Sequence, residues 1–312
     1  MPALICGSIA YDNIMVFRDS FKNHILPDQI HILNVSFLVP EMRREFGGCA
    51  LNIAHNLKLL GEEPIPMGTA GSDFGPYDDW LRQRSIRRDH IKVLDDVFTA
   101  QAFITTDLDD NQITAFHPGA MNFSHLNRVG DSADAALAII SPDGRDGMLE
   151  HATQLVERGI PFIFDPGQGL PMFGGEELRR FIEQANWLTV NDYEWQLLKE
   201  RTGWDVAEFL RRVEALIVTR GERGSRIHTR DKQIEIPAAR AHAVVDPTGC
   251  GDAYRAGVIY GLLRRLDWET TGRVASLMGA IKIESHGTQN HSFSERTFRE
   301  RFEASFGEAL ME

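Results

Sequence analysis

The sequence predicts an α/β protein built on a mainly parallel sheet with helices on both faces, plus a small accessory sheet. Two observations predict the core. Short apolar runs alternate with segments of helical period along nearly the whole chain. Polar or glycine-rich clusters (GSIAYDN, GTAGSD, DPGQG, NDYE, TRGERG and DPTGCGD) fall where predicted strands end and helices begin, the place where ligands bind in such folds. A hairpin pattern interrupts this rhythm and predicts the accessory sheet.

Taken in order, Ala3 to Ile9 is an apolar run ending in small residues and reads as a buried strand. Val35 to Val39 is a second apolar run, and Val16 to Pro40, poor in helical pattern, is assigned to the accessory sheet. After Gly47 and Gly48, the residues Leu51, Ala54, Leu57 and Leu60 fall at helical spacing, and Gly61 supplies the stop. Met67 to Ala70 is the next strand. Ala100 to Thr105 and Gln112 to Phe116 flank the polar turn DLDDN and form the hairpin. The alternation then resumes: strand Ala136 to Ile140, helix Gly147 to Arg158, strand Phe162 to Phe164, helix Glu176 to Ala185, strand Leu188 to Val190 and a helix to about Thr202. Strand Ala215 to Thr219 leads through RGERG into a hairpin ending near Ile236, and two helices, Gly251 to Leu266 and Glu269 to Glu284, close the core. With no repeat, low-complexity run or long linker, residues 1–312 are expected to form a single domain, with lid segments at about 12–40 and 97–120 inserted in its core.

Composition narrows the function. A net charge of −12 disfavours a nucleic-acid surface, which needs a basic face. The three cysteines, Cys6, Cys49 and Cys250, are widely spaced and form no Cys-x-x-Cys pair, which disfavours a disulfide framework or a zinc ribbon. The start MPALICGSIAYDN lacks the basic region and apolar run of a signal peptide, and no run of about 18 apolar residues occurs, so a cytoplasmic protein without a membrane span is expected.

The stretch Val244 to Gly257, VVDPTGCGDAYRAG, carries the chemistry. A glycine-rich turn running into a helix aligns main-chain amides with the helix dipole and so makes an anion site. Gly249 and Gly251 let the backbone approach a bulky phosphate. Asp252 follows at the rim of that site, where a carboxylate suits proton abstraction from an attacking hydroxyl, or serves simply as a helix-dipole partner. There is no G-x-x-x-x-G-K-[ST] loop, and no G-x-G-x-x-G follows the first strand, which excludes a P-loop enzyme and argues against a dinucleotide site. Asp73, Phe74 and Gly75 spell the protein-kinase DFG tripeptide but lack its companions and are read as coincidence.

The pair GGCALNIAHNLKLLG (Gly47 to Gly61) and DPTGCGDAYRAG (Asp246 to Gly257) resembles the two signatures of the ribokinase-like (PfkB) family of sugar and nucleoside kinases. NDYE (Asn191 to Glu194) resembles that family's N-x-x-E motif and TRGERG (Thr219 to Gly224) its T-x-G-x-x-G loop, in register along nearly the whole chain. LICGSIAYDNIM and LPDQIHILNVSFLVPEMRREFGGC are most similar to its bacterial nucleoside kinases of adenosine type. The resemblance implies a three-layer α/β/α core with a β-sheet lid, and ATP- and Mg²⁺-dependent transfer of a γ-phosphoryl group to the 5′-hydroxyl of a ribonucleoside, adenosine or another purine nucleoside first. A sugar kinase acting on ribose or a related sugar is the alternative, and a non-catalytic purine sensor the third reading.

By the same resemblance, Asp252 is the base, and Gly249, Cys250 and Gly251 offer amides to the migrating group. Asp12, Gly48 and Asn52 fall on the substrate side, where a carboxylate can accept hydrogen bonds from two vicinal ribose hydroxyls. Asn191 and Glu194 act through water on Mg²⁺ and the phosphates, with a helix-end charge as the plain reading of Glu194. Thr219, Gly221 and Gly224 line ATP, or simply turn a hairpin. Asp246 and Thr248, with main chain near Gly287, resemble a K⁺-type monovalent-cation site found in some members. Phe103 and Phe116 lie on the two hairpin strands and are assigned either to stacking on a purine or to packing the hairpin. A small-molecule acceptor and ATP are the expected partners, with the chain a monomer or a homodimer.

Overall fold

The computed structural model describes residues 2–25, 27–32, 34–109, 111–131 and 134–310. Strands β1 (Ala3–Cys6), β2 (Ala10–Val16) and β3 (Glu41–Gly47) precede helix α1 (Cys49–Leu59). Next come β4 (Pro64–Gly71), α2 (Gly75–Gln83), β5 (Ile91–Leu94), β6 (Ala100–Thr106), β7 (Gln112–His117), β8 (Leu137–Ile140), α3 (Arg145–Arg158), β9 (Phe162–Phe164) and α4 (Gly175–Gln184). The chain continues with β10 (Trp187–Asn191), α5 (Asp192–Thr202), α6 (Val206–Leu210), β11 (Ala215–Thr219), β12 (Ser225–Thr229) and β13 (Gln233–Ile236). It closes with α7 (Cys250–Leu263), α8 (Trp268–Lys282) and α9 (Glu295–Phe306).

Nine strands form one sheet in the order β13-β12-β11-β10-β9-β8-β1-β4-β5, parallel from β5 to β11 with an antiparallel pair at the β13 edge. Its inner strands, from β4 to β11, are almost wholly buried because both faces are covered, whereas the edge strands β5 and β13 are partly exposed. Along β1, Ala3 and Ile5 join the core under α1, α2, α7, α8 and α9, whereas Leu4 and Cys6 join the core under α3 to α6. The period-2 pleat assigns each residue to one layer or the other. Helices α7 and α8 cross closely on small residues: a Cβ added at Gly257 would lie 2.4 Å from Ala275 Cα.

The second sheet has four strands in the order β3-β2-β6-β7. Its β6–β7 hairpin is the expected one; Asp110, in the DLDDN turn, lies outside the described residues. The other half differs from expectation. Strands occupy Ala10–Val16 and Glu41–Gly47, while among the described residues 17–40 hold only 3-10 turns and irregular chain; Leu26 and Leu33 of that segment lie outside them. Val35 to Val39 is no strand. Phe37 instead packs with Phe17 and Phe21, ring centroids 4.8 and 5.0 Å away. The strand EMRREFG escaped detection because its first four residues are exposed, so no apolar alternation marks it. Among the described residues, no helix is long and apolar enough to cross a membrane.

Candidate active site

Helices α1 and α7 pack together; α1 is entered directly from β3 of the small sheet, and α7 from the segment that follows β13. Gly48 begins α1 at φ +89°, and a Cβ there would lie 2.5 Å from the Ser8 carbonyl oxygen, so only glycine fits. Gly249 begins α7 at φ +80°. The amides of Gly249, Gly251 and Asp252 have no acceptor among the described residues, but Cys250 N–H donates to the Pro247 carbonyl at 3.2 Å. Cys250 is thereby removed from the expected set of anion-binding amides: its N–H closes the preceding turn, and Asp252 N–H stands uncommitted instead.

Asp252 is buried in the first turn of α7. Asn52 Nδ2 donates to its Oδ2 at 2.9 Å and Arg255 Nη1 to its Oδ1 at 3.3 Å. The amide of Asn52 is oriented from behind: Gln289 Nε2 donates to Asn52 Oδ1 at 2.9 Å, and Trp80 Nε1 donates to Gln289 Oε1 at 3.0 Å. Asn52, expected on the substrate side, thus also holds the carboxylate. Asp12, on β2, makes no hydrogen bond among the described residues, and a Cβ at Gly47 would lie 2.6 Å from its Oδ2. Burial and then the negative charges of Asp252, Asp246 and Glu45 push its pKa up to about 6. An unpartnered carboxylate with this environment is suited to receive hydroxyl donors.

The β6–β7 register separates the two phenylalanines. Phe116 pairs with Ala102, which pairs in turn with Asp12, so these three share a face; Phe103 pairs with Ala115 and Asn13 on the opposite face. Both rings are exposed, but they cannot stack together on one base, which corrects the joint assignment.

Asn191 and Thr219 are register partners at the ends of β10 and β11. Asn191 and Glu194 form a reciprocal cap: Asn191 Oδ1 accepts Glu194 N–H and Glu194 Oε2 accepts Asn191 N–H, both at 2.8 Å. Gly221 (φ +58°) and Gly224 (φ +76°) bracket a 3-10 turn, and a Cβ at Gly224 would lie 2.0 Å from the Ile236 carbonyl. Ser225, next in sequence, is 2.6 Å from the Tyr254 hydroxyl and ties this turn to α7. Asp246 Oδ1 accepts Thr248 N–H and its Oδ2 accepts Gly287 N–H, each at 2.9 Å.

The sequence profile of the pfkB family carbohydrate kinases matches residues 12–296. The chain belongs to this family. The nucleoside kinase of Methanocaldococcus jannaschii is 34% identical over 261 residues, 83% of this chain and 85% of that protein. The structure of the Burkholderia thailandensis nucleoside kinase in complex with inosine is 54% identical, covers 98% of this chain and 99% of that one, and superposes with a TM-score of 0.90. The same kinase with ADP-inosine is 56% identical, with a TM-score of 0.88 over 98% of this chain and 97% of that one. As a pfkB-family kinase, the chain is a phosphotransferase with an alcohol acceptor that uses ATP.

For such an enzyme the charges behind Asp252 matter, and sequence reasoning missed most of them. Arg255 Nη2 donates to Asp165 Oδ1 at 2.8 Å, and its Nε lies 2.5 Å from Asp165 Oδ2 without hydrogen-bond alignment. Asp165 is completely buried; burial, opposed by Arg255, pushes its pKa up to about 7. Burial likewise raises the pKa of Asp252, with Arg255 and then the Asn52 hydrogen bond opposing. Burial works against the charge on Arg255, but Asp165, Asp252, Cys49 and Glu194 hold it firmly protonated. One guanidinium therefore keeps two buried carboxylates usable. Asp165 lay in the DPGQG cluster at a strand end, and Arg255 is one helical turn from Asp252, the spacing of a side-chain pair. No local signal marks Gln289, 237 residues from Asn52.

Proposed function

We propose that the chain transfers the γ-phosphoryl group of ATP to the 5′-hydroxyl of a ribonucleoside, with purine nucleosides such as inosine and adenosine preferred. The observation that carries this reading is the buried Asp252 carboxylate, held by Asn52 beside uncommitted amides at the start of α7. Asp252 takes the hydroxyl proton as the O5′–Pγ bond forms and the bond from Pγ to the ADP leaving oxygen breaks. The amides of Gly249, Gly251 and Asp252 receive the charge of the moving group. Asp12 accepts hydrogen bonds from the ribose hydroxyls, Gly48 lets the sugar approach the backbone, and Phe116, on the same face, borders the base. Thr219, Gly221 and Gly224 border the nucleotide.

The donor set also fits a magnesium nucleotide, because Glu194 keeps one carboxylate oxygen outside its cap. Mg²⁺ would be held by Glu194 and Asn191 through water and would supply neutralising charge on the phosphates. The small sheet serves as a lid that excludes water, a competing acceptor. The bacterial relative's complex with inosine supports the nucleoside over the sugar reading.

Initial rates with Mg-ATP and inosine, adenosine, cytidine or ribose test this. Purine nucleosides should exceed ribose by about 100-fold or more, as expected when bound base positions the reacting hydroxyl. Faster use of ribose would make the chain a sugar kinase, and nucleoside binding without ATP turnover would make it a sensor.

A further inference from the structure

Lys282, the last residue of α8, is completely buried. Lysine is almost never buried to that extent without a partner, because its ammonium loses its hydration. Here the partners are main-chain oxygens. Nζ donates to the Asp246 carbonyl at 2.7 Å and to the Ser285 carbonyl at 3.1 Å. The Asp246 carboxylate, the Cys250 thiol and the Glu45 carboxylate lie in its field, while burial lowers its pKa.

Its position gives this arrangement a consequence. The two carbonyls belong to two separate turns, Asp246 to Gly249 before α7 and Ser285 to Gly287 after α8. The Asp246 carboxylate bridges the same two turns through Thr248 N–H and Gly287 N–H. The ammonium and the carboxylate therefore clamp the glycine turn whose amides face the site. The clamp extends outward: Thr288 Cγ2 lies 3.0 Å from where a Cβ on Gly249 would stand, and Thr288 Oγ1 donates to the Phe46 carbonyl of β3 at 2.5 Å. A single positive charge held by carbonyl oxygens beside a carboxylate is the environment of an alkali-metal ion among hard oxygen ligands.

We propose that Lys282 is a built-in monovalent cation: its ammonium holds the α7 turn in anion-binding geometry, so phosphoryl transfer needs no dissolved K⁺ or Na⁺. The expected cation site around Asp246 is accordingly served by the chain itself. The proposal rests on the kinase reading for its kinetic arm only. Lys282 is a positioning residue, since it acts on the phosphate site through the turn.

The test compares wild type, Lys282→Met and Lys282→Ala in KCl, ammonium chloride and tetramethylammonium chloride at constant ionic strength. Wild-type kcat should be the same in all three salts. Lys282→Met should lose about 10- to 100-fold in kcat with nucleoside KM nearly unchanged, the scale of a misplaced anion donor. Lys282→Ala, which opens space, should regain activity in K⁺ or NH₄⁺ but not in tetramethylammonium. Its melting temperature should rise in K⁺ or NH₄⁺ while that of wild type stays level. Wild type activated severalfold by K⁺ would overturn the proposal. So would full activity of Lys282→Met in tetramethylammonium, or a Lys282→Ala protein whose melting and turnover ignore every small cation. If neither Lys282 variant folds, the wild-type salt comparison still decides. If wild type turns over no acceptor, the kinase reading fails, and the Lys282→Ala melting curves report on the cation site alone.

Discussion

Replacing Arg255 with methionine keeps an unbranched apolar stem and removes the charge between Asp165 and Asp252. Unit charges at the 3.3 Å separation of Arg255 and Asp252 attract by about 5 kcal/mol at an effective dielectric of about 20. Relaxation and water entry reduce that, and retaining a third of it corresponds to about one pKa unit, at about 1.4 kcal/mol per unit. Arg255 now lowers the pKa of Asp252 against burial, so its loss moves that pKa upward. The acid limb of the kcat/KM profile should then shift up by about one unit or more, with activity recovering at higher pH.

Stability should respond in the same direction. A carboxyl whose folded pKa is raised contributes most below its unfolded pKa and loses that contribution as pH rises through the folded value. Asp165, already pushed to about 7, will rise further without Arg255. Near pH 5 Asp165 is protonated in the variant and its part of the cost is small. Near pH 8 the broken pair should cost about 3 kcal/mol, or about 5 °C in melting temperature for a chain of this size. The assay is a pH series of ADP formation coupled to NADH oxidation, with melting curves at each pH. A folded Arg255→Met protein whose acid limb stays in place would refute the argument that this guanidinium sets the state of Asp252.

Two further outcomes follow from the same geometry. Gln289→Leu removes the group that fixes the Asn52 amide, so kcat should fall by about tenfold while ATP KM changes little, as for a displaced positioning hydrogen bond; steady-state kinetics reads the split, and an unchanged kcat would remove Gln289 from the account. Asp143 is buried, with its pKa pushed up to about 8 by burial against a single hydrogen bond from Gly144 N–H, and its Oδ2 has no partner. Wild-type stability should therefore decline between about pH 4 and 8 by up to about 1.4 kcal/mol per unit from this group, and Asp143→Asn, which keeps the acceptor for Gly144, should be more stable than wild type at pH 8; equal melting temperatures there would contradict this reading.

The parallel core was legible because its inner strands β1, β4, β8, β9, β10 and β11 are covered on both faces and read as short, mainly apolar runs. Strand β3, with its exposed charged residues, and helix α9, with buried Phe298 and Phe302 among charged neighbours, carry much weaker signals. Asp252 and Gly249 could be singled out because a glycine turn next to a carboxylate is a local pattern, whereas Gly48 was reached through the family resemblance. Partners separated by long stretches of chain could not. Asp165 meets Arg255 across 90 residues, and Lys282 meets the Asp246 carbonyl across 36. The opposite faces of Phe103 and Phe116 depend on strand register, and a slip of one residue between β6 and β7 would put both on one face.

The central claim is that Asp252 removes the proton from the acceptor hydroxyl. Asp252→Asn keeps the side-chain shape while abolishing the basic oxygen. With saturating Mg-ATP and inosine, its kcat should fall by about 10²- to 10⁴-fold, while calorimetry still records nucleoside binding. A folded Asp252→Asn protein that phosphorylates inosine within a few-fold of the wild-type rate would contradict the account at its root.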